Sequence, residues 1–303
     1  MAGHISSLQL FDSMFKYWVI VLVGFAVLPS CTGYLRAPNV GPVVNSPVGK
    51  GDAGMTVTSA MVVSQKDVKE FARPIYGGVN IYKTTSDHTF IVGEGSLSFS
   101  DYKGNDQTNP FSPEVNYTRK FFGWNITPGV GLFKASGKLC FTAGLGIPIV
   151  YNAFIEEINV LYSPGSHDKT TIESNSTNIN FQPQLSIVYR GGSEKFRFEP
   201  FVGTSILTNL RSWYNNSYGR DSDTVAYSSY GAGSGFGDFW SYTFSAGARV
   251  GSERIQGYVQ VGSAGYRSNT GRSKIDEYSI KNLSVALGVS FRLGGASTTS
   301  VTQ

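Results

Sequence analysis

Five charged residues sit where alternation turns a side chain away from a run of apolar neighbours. Arg197 and Glu199 interleave with Phe196, Phe198 and Pro200, while Arg249 lies between Ala248 and Val250 and Arg292 between Phe291 and Leu293. Glu94 sits on an earlier segment of the same kind, and all five fall near expected tight turns. An isolated charge away from water is costly, so these groups must pair or meet solvent. Two chemistries suit them. One is a structural ion-pair network, and the other is a constriction for small anions, since arginines outnumber glutamates there. Catalytic patterns are absent: there is no Gly-x-Ser-x-Gly elbow, His-Glu-x-x-His pair or phosphate loop. The histidines after residue 30, His88 and His167, are expected at opposite ends of the fold, and no base adjoins Cys140. From these residues we expect no enzyme activity, no cofactor and no metal site.

A second group is aromatic. Residues 210 to 238 contain Trp213, Tyr214, Tyr218, Tyr227 and Tyr230 among Ser, Asn and Gly, the mixture that adaptable binding loops favour. They are candidates for stacking on a sugar or a partner surface. The competing assignment puts Trp213 and Tyr214 in an aromatic girdle at a membrane interface. Asp221 and Asp223 lack the further oxygen ligands a divalent cation needs.

Regularly alternating segments must hold these residues in place. In Leu283-Ser-Val-Ala-Leu-Gly-Val-Ser-Phe-Arg-Leu293 every odd position is large and apolar and every even one is small, polar or charged. Side chains alternate across a strand, so this segment has one oily face and one wet face, and it is long enough to cross a bilayer when tilted. The same pattern puts Phe122, Trp124, Ile126 and Val130 on one face, and likewise Phe181, Leu185 and Ile187. It also places Tyr242 and Phe244 opposite Ser241, Thr243 and Ser245. Glycine-supplied turns of few residues (135–137, 191–194, 251–253) alternate with long polar loops near 102–118, 156–176, 210–238 and 268–277. This order predicts an all-β fold, a closed antiparallel up-and-down transmembrane β-barrel of about ten strands, with eight or twelve open. Pro128, Pro148, Pro183 and Pro200 remove ladder donors inside expected strands, so bulges or shifted strand ends are expected there.

Composition fits a barrel. Charged residues make up 15 % of the chain, below the roughly 25 % of soluble domains, and aromatics make up 14 %. A net charge of +4 is too small and dispersed for a nucleic-acid partner. Near the amino terminus Lys16 precedes an apolar run from Tyr17 to Leu28, then Leu28-Pro-Ser-Cys31. These residues resemble a bacterial lipoprotein signal, which implies cleavage before Cys31 and acylation of its thiol, with the lipid in the periplasmic leaflet. The expected organisation is a signal at 1–30, an extended Pro-rich tether at 31–53, a barrel at 54–293 and a disordered tail at 294–303.

The amphipathic final strand and the order of turns and loops resemble the small outer-membrane β-barrels of Gram-negative bacteria, the OmpA-barrel and OmpX-like group. The resemblance covers residues 54 to 293. It implies an outer-membrane address, lipid contact, and a structural or binding role through outer loops toward a surface ligand or envelope protein. A narrow diffusion channel and a soluble β-sandwich lipoprotein are the alternative readings.

Overall fold

The computed structural model describes residues 42–65, 75–106, 114–162, 166–193, 195–220, 223–232, 239–268 and 281–294. Thirteen strand segments are formed: β1 (Ala53–Gln65), β2 (Ile75–Thr84), β3 (Thr89–Asp106), β4 (Glu114–Ser136), β5 (Leu139–Gly146), β6 (Ile149–Tyr162), β7 (Ser166–Tyr189), β8 (Gly191–Gly192), β9 (Arg197–Arg220), β10 (Asp223–Ala232), β11 (Phe239–Gly251), β12 (Ile255–Ser268) and β13 (Lys281–Gly294).

Among the described residues these segments build ten antiparallel staves that close into a barrel. β13 pairs with β1 from Ala53↔Gly294 to Gln65↔Asn282, and β7 pairs with β9 across the middle of the chain, so the ring has no gap. β5 and β6 are one stave, both lying between β4 and β7. Likewise β10 and β11 follow one another along the same edge of β9. The two-residue β8 belongs to the turn before β9.

The prolines behave differently from expectation. Pro148 splits β5 from β6 by removing a donor, yet the register with β4 is unchanged from Gly129↔Gly146 to Ile126↔Ile149. The carbonyls of Pro128 and Pro148 still accept from Ile147 and Asn180. No register shift falls at Pro128, Pro183 or Pro200; between β7 and β9 the shift lies at Ile179/Asn180 instead. A proline in a closed sheet therefore costs a ladder bond without moving the register.

The predicted faces are observed. Val79, Leu97, Ile126, Val130, Phe244 and Leu287 are 39–60 % exposed on the outside, whereas Asn80, Thr127, Ser245 and Gln260 are buried inside. This inverts a soluble sandwich, whose apolar rows bury against each other. The soluble β-sandwich alternative is therefore corrected: the apolar rows face outward around a polar interior, as in a barrel whose solvent is hydrocarbon. Trp124, Tyr151 and Trp213 lie in one hydrogen-bonded row through Thr177, with Trp124 stacked on Tyr151 at 5.9 Å.

The supposed loops are mostly strand. β3, β4, β6, β7, β9 and β10 run on past the apolar band as a projecting six-stranded wall, with β4 23 residues long and β7 and β9 24 each. Apolar alternation marks contact with lipid, so it stops at the membrane edge although hydrogen bonding continues. The 268–277 loop lies almost wholly outside the described residues, as do residues 1–30, Cys31 and the tail from 295.

Replacing outward Leu287 by Arg should lower folding free energy in lipid vesicles by about 2–4 kcal/mol, measured by denaturant titration, because mid-band lipid-facing charge costs that much. An ordinary solvated surface leucine would change by under about 0.5 kcal/mol.

Candidate functional site

The amino-terminal segment before β1 does not hang outside the barrel. Residues 42–48 are extended, as proline at 42 and 47 requires, and they run inside the lumen. The chain descends from the level of Glu94 and Thr142, packs Pro47 against Cys140 near the short-turn rim, and reverses through Gly49–Asp52 into β1. Gly51 has φ 84°, the left-handed region glycine tolerates, and it makes this reversal possible.

The wall holds this strap by named contacts. Arg190 donates from Nε to Ser46 Oγ at 3.1 Å and from Nη2 to the Pro47 carbonyl. Cys140 Sγ, fully buried, donates to the same carbonyl at 3.4 Å. Arg292 reaches the Ser46 carbonyl at 3.4 Å. Thr84 Oγ1 donates to the carbonyls of Gly49 and Asp52 at 2.8 and 3.0 Å, locking the turn to β2. Above the turn, Val44 joins Phe90, Phe133, Val188, Phe201 and Tyr258 in a small apolar cluster. A barrel of this size is normally filled by its own side chains, and here a length of main chain completes the filling.

The five predicted inward charges divide into groups. Arg249 Nη1 faces Glu199 Oε2 at 3.4 Å with both side chains at most 5 % exposed. Its guanidinium also lies 5.5 and 5.9 Å from the ring centres of Phe201 and Tyr258, which stack at 5.4 Å. Arg197 pairs with Glu253 at 2.8 Å. Arg292 pairs with Asp52 at 3.4 Å and with Glu253 at 3.6 Å. Glu94 stands apart, meeting Asn80 and the Val43 backbone of the strap. Sequence reasoning missed Asp52, Glu253 and Arg190. Asp52 and Arg190 lie just outside the strands and Glu253 in a turn, so alternation assigned them no face. Burial pushes the Asp52 carboxyl above its ordinary range, opposed by Arg292, the Val48 N–H and the Tyr82 hydroxyl.

The candidate binding aromatics sit on the projecting wall. Trp213 and Tyr214 lie on β9 opposite Thr177 and Ser176 of β7, and Arg211 stacks over the Trp213 ring at 4.9 Å. Tyr218 pairs in register with Tyr227, and Tyr230 with Asn215. This stretch is a β-hairpin and not a loop, and Trp213 shares the girdle row with Tyr151 and Trp124. His88 is in the short β2–β3 turn and His167 at the far end of β7, so they belong to opposite ends of the barrel. Among the described residues there is no cluster of His, Cys, Asp or Glu that could hold a metal ion.

No protein-family model matches the chain, and no curated protein matches its sequence. Solved structures similar in shape are outer-membrane barrels. The outer membrane protease OmpT from Escherichia coli is 12 % identical, with 82 % of this chain and 99 % of that chain covered and a TM-score of 0.46. The translocator domain of the autotransporter NalP from Neisseria meningitidis is 11 % identical, covering 93 % and 95 %, with a TM-score of 0.36. A major outer membrane protein from Thermus thermophilus is 10 % identical, covering 79 % and 99 %, with a TM-score of 0.35. The barrel architecture itself rests on the ring of pairings above. One sequence expectation is corrected by these matches. A barrel without familiar catalytic motifs was expected not to be an enzyme, but one of these barrels is a protease, so such an architecture also carries catalysts. The expectation rested on missing motifs and on the separation of His88 from His167.

Two outcomes follow from the strap and the Arg249–Glu199 pair. Glu199→Gln should lower folding free energy by about 3–5 kcal/mol by leaving a buried guanidinium unpaired, and the double change with Arg249→Met should restore most of that, read by denaturant titration. Deleting residues 42–48 should raise single-channel conductance in planar bilayers above that of the intact chain, whose lumen the strap fills.

Proposed function

We propose that this chain is an outer-membrane β-barrel, anchored by an acyl group at Cys31, whose projecting wall serves a structural or binding role outside the membrane. The observation that carries this reading is the reversal of polarity along the long strands. Within the band the outside is apolar and the inside polar. Beyond Phe99 and Phe122 the outside turns charged, with Asp101, Lys103 and Lys120 exposed. There the inside becomes mixed, with Tyr117 and Phe121 of β4 and Phe154 and Ile158 of β6 half-buried around the Arg119–Glu156 pair. Lipid contact explains the first pattern and water the second, so the switch supports an interface at that level with Trp124 and Tyr151 as its girdle.

The short turns of bacterial barrels face the periplasm and the long connections face out, which puts the wall outside. Membrane lipid is the first partner, and the wall meets a surface ligand or envelope protein. Arg119–Glu156 at 2.5 Å and Lys169–Glu157 at 3.9 Å brace its strands. The strap held across the short-turn end of the lumen counts against the open diffusion channel. The leader and the acylated Cys31 rest on the resemblance of Leu28-Pro-Ser-Cys31 to a lipoprotein signal. Membership in the OmpA and OmpX-like group rests on the turn order, with ten staves against the eight of its smallest members.

Trypsin added to intact cells should cut within the wall, at Lys169 or Arg220, and spare Lys134, Lys138 and Lys195 by the short turns. Cutting only at the short turns would overturn the orientation. Cys31→Ala should abolish incorporation of labelled palmitate, and unchanged labelling would remove the acyl anchor from this reading.

A further inference from the structure

The lipid-facing columns end differently at the two edges of the apolar band. At the short-turn edge they end in cations. Lys83 continues the outward column of Val79 and Ile81 on β2, and Lys134 continues that of Val130 and Leu132 on β4. Lys138, Lys195 and Arg254 directly precede Leu139, Phe196 and Ile255, each exposed on the outside. Lys83, Lys138, Lys195 and Arg254 are themselves exposed. Glu194 adjoins Lys195 in the sequence, and Asp87 lies in the turn after Lys83. The other short-turn carboxylates face inward, where Asp52 meets Arg292 and Glu253 meets Arg197 and Arg292. Asp87 accepts the Lys50 backbone N–H at 3.2 Å. Among the described residues no carboxylate lies within ion-pair distance of Lys83, Lys138, Lys195 or Arg254.

At the wall edge the same columns pass into both signs. Asp101 lies in register with Lys120, and Lys169 pairs with Glu157 at 3.9 Å. Lys103, Glu173 and Arg211 add further exposed charges of mixed sign. The basic excess therefore belongs to one edge and does not follow from composition alone. A lysine or arginine stem can lie along apolar surface while its charged head reaches the level of lipid headgroups. An anionic headgroup attracts each such cation, and the attraction accumulates over several of them. The five positions lie on β2, in the β4–β5 hairpin and in the turns before β9 and β12, so they are spread around the ring. A compact protein partner would touch one sector of that ring, whereas a leaflet touches all of it.

We infer that the short-turn rim is a cationic belt that gathers anionic phospholipids, through their phosphodiester headgroups, in the leaflet it meets. This deepens the lipid contact proposed above, and the orientation proposed there makes that leaflet the periplasmic one. The belt fixes the depth of the barrel at that edge, while the mixed charges of the wall stand in water.

The test compares spin-labelled phosphatidylglycerol with spin-labelled phosphatidylcholine in phosphatidylcholine vesicles that hold the folded full chain. The fraction of each probe immobilised against the protein gives its relative affinity for the barrel surface. At low salt phosphatidylglycerol should be preferred by about three- to fivefold, and high salt should reduce the preference. Changing Lys83, Lys134, Lys138, Lys195 and Arg254 together to Gln should abolish it. Lys103→Gln with Lys120→Gln, on the wall, should leave it unchanged. If the fivefold variant does not fold, Lys138→Gln with Arg254→Gln should remove part of the preference. Equal immobilisation of both probes by the intact chain overturns the belt, as does a preference that survives in the belt variants or vanishes in the wall variant. Immobilisation of neither probe overturns the lipid-facing barrel as well. None of these readings depends on which way the barrel sits in a cell, which the trypsin experiment reads separately.

Discussion

Hydrocarbon offers no partner to a backbone N–H, so a sheet inside a membrane must close on itself. The β1–β13 seam meets that demand, because it pairs the first strand with the last over their full described lengths. Most other features follow from closure. Once the ring is shut, one face must suit lipid and the other becomes an interior that lipid cannot reach. Alternation then sends Leu287 and Val289 outward and Ala286 and Ser290 inward. Prolines at 128, 183 and 200 are tolerated since neighbours on both sides hold the register after a single bond is lost.

Closure creates a second problem, which is the filling of a polar tube. Small and amide side chains such as Asn80, Ser205 and Gln260 line it. The strap resolves this near the short-turn end by bringing carbonyls to Arg190, Arg292 and Cys140. Charges left near the rim, Arg197, Arg292, Asp52 and Glu253, form one connected set instead of isolated pairs. The lumenal arginines thus meet both strap carbonyls and carboxylates.

The strand faces were legible because lipid imposes a strict period of two over many residues. Leu283–Leu293 alone announced the architecture, and the short turns at 137, 192 and 252 set the strand order. Other features left no such trace. The upper parts of β6, β7 and β9 are polar on one side and mixed on the other, so they read as loops although their backbones pair throughout. The strap was legible as extended from its prolines, but nothing in Val43-Val-Asn-Ser-Pro47 says which side of a barrel wall it occupies. Arg249 with Glu199 could be placed on one face, whereas Asp52 and Glu253 could not, as neither lies within an alternating run.

The central claim is that outward apolar rows face hydrocarbon. Nitroxide labels placed singly from position 283 to 293 in vesicle-embedded protein test it most directly, through their collision rates with dissolved oxygen. The account predicts a period of two, with oxygen access high at 283, 285, 287 and 289 and low at 284, 286 and 290. Uniformly low access at the odd positions would place those side chains in a dry protein core and contradict it.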